Sequence, residues 1–164
     1  MDWAFVLRLE VAGGAFLPFF DMCSATALRA VCSELRGAVA GHAWADASAI
    51  KGSLAAWRAG FPRARRANLQ DRIDLTDADF VHLAGIHTLD MSWCKQATVT
   101  DAAFVHLAGI HTLDMSRCTR AAITDAAFVH LAGIHTLGVE GCNQAIITDA
   151  AFVYLNGIQS LTRP

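Results

Sequence analysis

The sequence predicts an α/β fold of stacked 24-residue units, each a short helix followed by a short strand, behind a small helical region. Three observations predict it. Thr76, Thr100, Thr124 and Thr148 recur every 24 residues and open the same phrase. Between the copies that start at Thr76 and Thr100, 18 of 24 positions are identical. Within each copy the apolar spacing changes from helical to strand-like, so neither element buries its apolar face without a neighbouring copy.

Residues 1–60 contain no copy of the phrase. They are rich in Ala and Leu, with breaks at Gly13-Gly14 and Gly60-Phe61-Pro62, and read as helical. The segment Ala27 to Val39 places Leu28, Val31, Cys32, Leu35 and Val39 on one face of a helix, with Ser24 or Thr26 as its cap. Trp44 and Trp57 follow in alanine-rich contexts, and Arg58, Arg63, Arg65 and Arg66 mark the approach to the repeats.

Residues 61–164 form the array. Ala67 and Leu69, followed by Leu75, fit a first strand whose loop is two residues shorter than the others. The copy from Thr100 shows how each full unit folds. Phe104 and Leu107 are three apart, which is helical spacing. Thr100 precedes them and can accept from a first-turn N–H; Asp101 suits the positive end of the helix dipole. Gly109 stands where a left-handed C-terminal cap is needed. Beyond it Leu113 and Met115 alternate with Thr112, Asp114 and Ser116, as in a strand. Stacking then gives a column of Leu89, Leu113, Leu137 and Leu161, another of Met91, Met115 and Val139, and parallel strands about 4.8 Å apart.

Composition bounds the function. A chain that is 54% apolar and 17% charged buries a core rather than staying disordered. A net charge of −2 argues against general nucleic-acid binding. Residues 71–164 carry five Lys/Arg against ten Asp/Glu, a net of −5, which favours a basic protein partner there. No apolar run reaches the length needed to cross a bilayer, and Arg8 and Glu10 interrupt the apolar stretch Trp3 to Val11, so neither a membrane anchor nor a secretory leader is expected. Cys94, Cys118 and Cys142 keep the 24-residue interval and read as reduced, buried thiols of an intracellular protein, cytoplasmic or nuclear.

The phrase LAGIHTLDMSRC, with Leu107, Ile110, Leu113 and Met115 followed by Cys118, resembles a leucine-rich repeat. The cysteine in a place often held by asparagine, and then Ile123-Thr124-Asp125, is similar to the cysteine-containing subtype. The resemblance covers residues 76–161. Upstream, Phe19-Phe20-Asp21, Leu28, Val31-Cys32, Leu35-Arg36 and the later Trp44 resemble the second half of an F-box. The first half departs from that family: Leu17-Pro18 lies too close to Val31-Cys32, and Gly13-Gly14 falls in the first helix at about 1 kcal/mol per glycine. The resemblance implies a leucine-rich-repeat solenoid with an N-terminal F-box-like region. It implies a substrate receptor that holds a target protein on its concave strand face and meets the adaptor of an SCF-type ubiquitin ligase through residues 1–60. Phe19, Phe20, Leu28, Val31 and Leu35 would form the adaptor-binding set. No catalytic residue and no cofactor are implied. A free-standing interaction module, or a decoy that recruits no ligase, is the alternative.

The residues themselves point to a binding surface. Asp90, Ser92, Asp114 and Ser116 fall on the exposed strand face, with Glu140 two positions further along its own strand. Trp93, Arg117 and Gly141 occupy one variable position and Lys95, Thr119 and Asn143 another, both at the rim. An exposed Trp beside an Arg is a frequent hot-spot pairing. The expected partner-binding set is therefore Asp90, Ser92, Trp93, Asp114, Ser116, Arg117 and Glu140. Paired carboxylates can do acid–base work, but no nucleophile or phosphate loop accompanies them. Two histidine ladders, His87/His111/His135 and His82/His106/His130, lack carboxylate or cysteine at metal-ligand spacing, so no metal is expected. Finally, the fourth copy keeps Phe152, Leu155, Ile158 and Leu161, changes only slightly at Tyr154 and Asn156, and stops at Pro164. An uncovered last strand is expected to be capped by another molecule or subunit, or to continue in a longer array, and it predicts self-association through that end.

Overall fold

The structure is a computed structural model that describes residues 17, 21–30, 33–45, 48–95, 98–119, 122–142 and 147–162. Five strands, β1 (Arg66–Asn68), β2 (Thr88–Asp90), β3 (Thr112–Asp114), β4 (Thr136–Gly138) and β5 (Ser160–Thr162), form one sheet in chain order. Every neighbouring pair is parallel, and Ala67, Leu89, Leu113, Leu137 and Leu161 are aligned in register. One strand per unit is thus one rung, and the shorter spacing from Ala67 to Leu89 is taken up in a tighter loop. In β1 to β3 the middle residue is buried and its neighbours are half-buried, so one sheet face meets the core and the other looks outward. Leu89, Leu113, Leu137, Met91, Met115 and Val139 are all buried, as the strand spacing requires.

The return segments are the expected short helices. They are largely 3₁₀ helix, at Asp77–Leu83, Asp125–Leu131 and Asp149–Tyr154. In the copy from Thr100 a single α-turn, Asp101–Phe104, passes into 3₁₀ at Val105–Leu107. The physical reason lies in the spacing. At three residues per turn, side chains three apart eclipse, so Phe80 and Leu83, or Phe104 and Leu107, point together into the core. A 3₁₀ helix also rises about 2.0 Å per residue against about 1.5 Å for an α-helix, letting so few residues span the back of the unit. Gly109 has the expected left-handed φ of 80° but a different task. Ala108 at φ −55° and ψ 129°, with the Ile110 N–H donating to the Leu107 carbonyl at 3.0 Å, makes it the third residue of a type II turn.

Among the described residues three α-helices precede the sheet: α1 (Met22–Leu28), α2 (Ser33–Gly41) and α3 (Leu54–Gly60). The single helix expected from Ala27 to Val39 is therefore two, separated by a turn at Arg29 and Ala30. The cap of α1 is Asp21, whose carboxylate accepts from the Ser24 N–H at 2.7 Å. Thr26, an expected cap, instead donates back to the Met22 carbonyl inside the helix. Trp44 is buried and its indole donates to the Val39 carbonyl at 2.8 Å. One apolar cluster runs from Leu17, Val39, Trp44, Leu54 and Phe61 into the repeats without a gap. The helical region also covers the first sheet edge. Ala49 bridges Asn68, the Ile50 N–H donates to the Asn68 carbonyl, and the Arg65 N–H donates to the Trp44 carbonyl. Among the described residues no helix is long and apolar enough to cross a membrane.

Candidate functional site

The outward sheet face is built from the strand residues that alternate with the buried leucines. Asp90 and Asp114 are register partners on it. Asp90 accepts from the Ser92 N–H at 3.0 Å and from the Ser92 hydroxyl at 2.7 Å. These bonds close a turn over Ser92 and leave it only 7% exposed, so it supports the loop rather than meeting a partner, contrary to expectation. Asp114 accepts from the Ser116 N–H at 2.9 Å in the next unit, where Ser116 stays half-buried. The third position of this carboxylate row is Gly138. A Cβ there would lie 2.7 Å from Asp114 Oδ1, so the glycine gives Asp114 room to lean across β4. Glu140 is exposed, with a carboxylate oxygen 3.8 Å from the Arg117 guanidinium. An exposed pair at that distance contributes little stability and is open to other partners.

The rim is made by one backbone conformation repeated along the array. Asp71, Trp93, Arg117 and Gly141 have φ of 59°, 61°, 58° and 67°. A left-handed residue with a Cβ costs roughly 1–2 kcal/mol, and three of these four carry one. The turn is held by cross-rung bonds: the Trp93 N–H donates to the Ser116 carbonyl and the Arg117 N–H to the Glu140 carbonyl. Directly behind it the Cys94, Cys118 and Cys142 thiols are buried and donate to the Leu69, Met91 and Met115 carbonyls of the preceding unit, at 3.2, 3.0 and 3.0 Å. On this support Trp93 is 40% exposed. The Arg117 guanidinium lies 4.8 Å from its ring centroid and the Lys95 ammonium 5.7 Å, within cation–π range.

Two further ladders run along the array. On the side opposite the rim, His87, His111 and His135 stack face to face, with centroids 4.4 and 3.9 Å apart and planes within 15°. Desolvation in the stack, then repulsion from His135 and His87, holds the His111 imidazole below its ordinary pKa. Among the described residues no group of three His, Cys, Asp or Glu is arranged to hold a metal ion. The second ladder was not foreseen. Asp77 accepts from both the N–H and the hydroxyl of Thr100, Asp101 does the same for Thr124, and Asp125 for Thr148. Thr76 begins the series, and its N–H and hydroxyl instead meet Asp79 of its own unit, each at 2.8 Å. The departure from alanine at position 79 was the signal in the sequence.

The expected adaptor-binding set is mostly not on view. Phe19, Phe20 and Val31 lie outside the described residues. Leu28 is half-buried against the core, and Leu35 is 5% exposed; neither is displayed as an adaptor contact. Three arginines near the repeats also serve internal ties. Arg58 donates to the Ala64 and Ala84 carbonyls, Arg63 to that of Gly41, and Arg72 to those of Ile50 and Gly52. Compared with models of known protein families and with curated proteins, the chain gives no match.

Proposed function

We propose that this chain is a protein-binding scaffold of the cysteine-containing leucine-rich-repeat type, which holds a target on its outward sheet face and rim. The observation that carries the reading is Trp93. It is a large aromatic left 40% exposed at the rim and flanked by two cations, the composition of a binding hot spot. The thiol-to-carbonyl ladder and the turn that recurs at each rung support the repeat subtype. In its more specific form the scaffold is an F-box-like substrate receptor that brings the target to an SCF-type ubiquitin ligase, with the chemistry left to other subunits. The continuous core between helical region and array supports one rigid bridge between two partners.

Two measurements test this. Proteins captured from cells by the full chain are compared between wild type and Trp93→Ala. A loss of about 2 kcal/mol, some thirtyfold in Kd, is expected, whereas His106→Ala on the return segment leaves capture unchanged. Equal losses from the two variants would remove the face assignment. Capture of the ligase adaptor by the full chain, and its loss on changing Phe19, Phe20 and Val31, decides between a ligase receptor and the free-standing module.

A further inference from the structure

The row of residues that leads into the five strands is chemically unlike the rest. The His87 N–H donates to the Arg65 carbonyl, the His111 N–H to that of His87, the His135 N–H to that of His111, and the Gln159 N–H to that of His135, at 2.9 to 3.0 Å. Arg65, His87, His111, His135 and Gln159 therefore occupy one position on five successive rungs, spanning roughly 19 Å at about 4.8 Å per rung. Every side chain in the row carries an N–H donor and none is a carboxylate. Arg65 is exposed and the three histidines half-exposed. His87 and His111 each set Nδ1 within 3.3 Å of the next threonine hydroxyl, which points the remaining ring nitrogen away from the strand. His135 keeps a buried Nδ1 with no hydrogen-bond partner, and beside the row Arg66 keeps a buried Nε in the same condition.

We propose that this row is a docking strip for an acidic segment of a protein partner, whose carboxylates the strip grips more tightly as its imidazoles take up protons. The inference rests on the scaffold reading but uses the rim opposite Trp93. Charge complementarity selects the occupant. Arg65 and Arg66 supply fixed positive charge at one end, and Arg58 lies near it, bonded to the Ala84 carbonyl. The carboxylates of Asp90 and Asp114 lie three residues further along the chain, about 10 Å away. That separation tolerates discrete carboxylates on the strip. It penalises a nucleic acid, whose closely spaced phosphates would crowd the aspartates as well. In the empty strip the stacked rings resist protonation, because each new cation would sit about 4 Å from the next. A bound carboxylate offsets that repulsion, so binding and proton uptake are coupled.

The test is fluorescence anisotropy of a labelled glutamate–glycine peptide titrated with the full chain at low salt. For each proton taken up, affinity rises by at most about tenfold per pH unit. A gain of about tenfold between pH 7.5 and pH 6.0 is the expected result. Replacing His87, His111 and His135 together by Gln should flatten that dependence, Arg65→Gln should weaken binding at both pH values, and His106→Ala on the return segment should leave it unchanged. Calorimetry of the wild type in buffers of different ionisation enthalpy should show net proton uptake. Absent binding, a pH dependence that survives the triple replacement, no proton uptake, or tighter binding of an oligonucleotide than of the peptide would overturn the strip. If the strip fails while Trp93 still controls target capture, the scaffold reading stands without it.

Discussion

The helical region and the repeat array solve the same burial problem by different means. The helical region uses large side chains once each: Trp44, Trp57 and Phe61 are buried there, and Trp44 meets Phe61 edge to face. The array uses a small set repeatedly, with Phe80, Phe104 and Phe128 in one column and Leu83, Leu107 and Leu131 in the next, all buried. A one-off core holds its shape through particular neighbours, whereas a repeated core holds through stacking that any adjacent copy supplies. The difference teaches where each half is fragile. The array tolerates variation at exposed positions, and the helical region decides whether the first rung is covered at all.

The sharpest way to break this contrast is to empty the two cores in turn. Trp44→Ala should cost about 3–5 kcal/mol and Leu113→Ala about 2–5 kcal/mol. Because the apolar cluster is continuous, both should lower a single denaturation transition. Two separate transitions after Trp44→Ala would show that the helical region and the array unfold independently.

A smaller effect sharpens the account of the array. Asp101→Ala removes the acceptor of both the N–H and the hydroxyl of Thr124, at an expected cost of about 1–3 kcal/mol. Thr100→Ala removes both the cap on the Ala102 N–H and the hydroxyl donor to Asp77, at an expected cost of about 1–2 kcal/mol. If Asp101→Ala proves silent in urea denaturation, the cross-rung bonds contribute nothing beyond stacking.

The smallest effect is one of pH. The His111 imidazole is held below its ordinary value in the folded state, so the unfolded chain binds the extra proton more readily. The stability this contributes is present above about pH 6.5, the unfolded value, and is lost as pH falls through that value toward the folded one. Urea midpoints measured from about pH 7.5 down to pH 5.5 should fall for the wild type, and less for His111→Gln. A midpoint that stays level across that window would mean the stack does not resist charge.

How much of this was legible in the sequence follows the same division. Repetition made the sheet readable: four threonines at one interval fix the rungs, and the apolar alternation around Leu113 fixes which face is buried. The return segments were legible as short helices but not as to type, because Phe104 and Leu107, three apart, satisfy both helical periods. Their brevity, not their pattern, decides for 3₁₀. Ser92 was misread because exposure was inferred from alternation alone, while a hydrogen bond to Asp90 folds it inward. In the helical region no repetition corrects an error. The pattern from Ala27 to Val39 fits one face of one helix, and nothing in the spacing shows the turn at Arg29. The candidate site was legible where copies differ, at Trp93 and Arg117. It was obscure where they agree, because the histidine row looks like mere copying until the rings are seen stacked.

Asp79 has a consequence for how such a chain grows. By satisfying Thr76 within its own unit, it makes the first full copy self-sufficient on one side, while Asp77 still reaches forward to Thr100. The later copies look both backward and forward and are interchangeable in this respect. A tandem duplication of any 24 residues between Thr100 and Thr148 would therefore insert a unit whose polar seams close on both sides. Each insertion would lengthen the sheet by one rung, add one imidazole to its row and one thiol to its spine, and leave the junction with the helices untouched. The same duplication begun at Thr76 would carry Asp79 into the interior as a redundant carboxylate, competing with the preceding unit's aspartate for a single threonine. The array has one fixed end and an extensible body, and its outward face can change length without change of design.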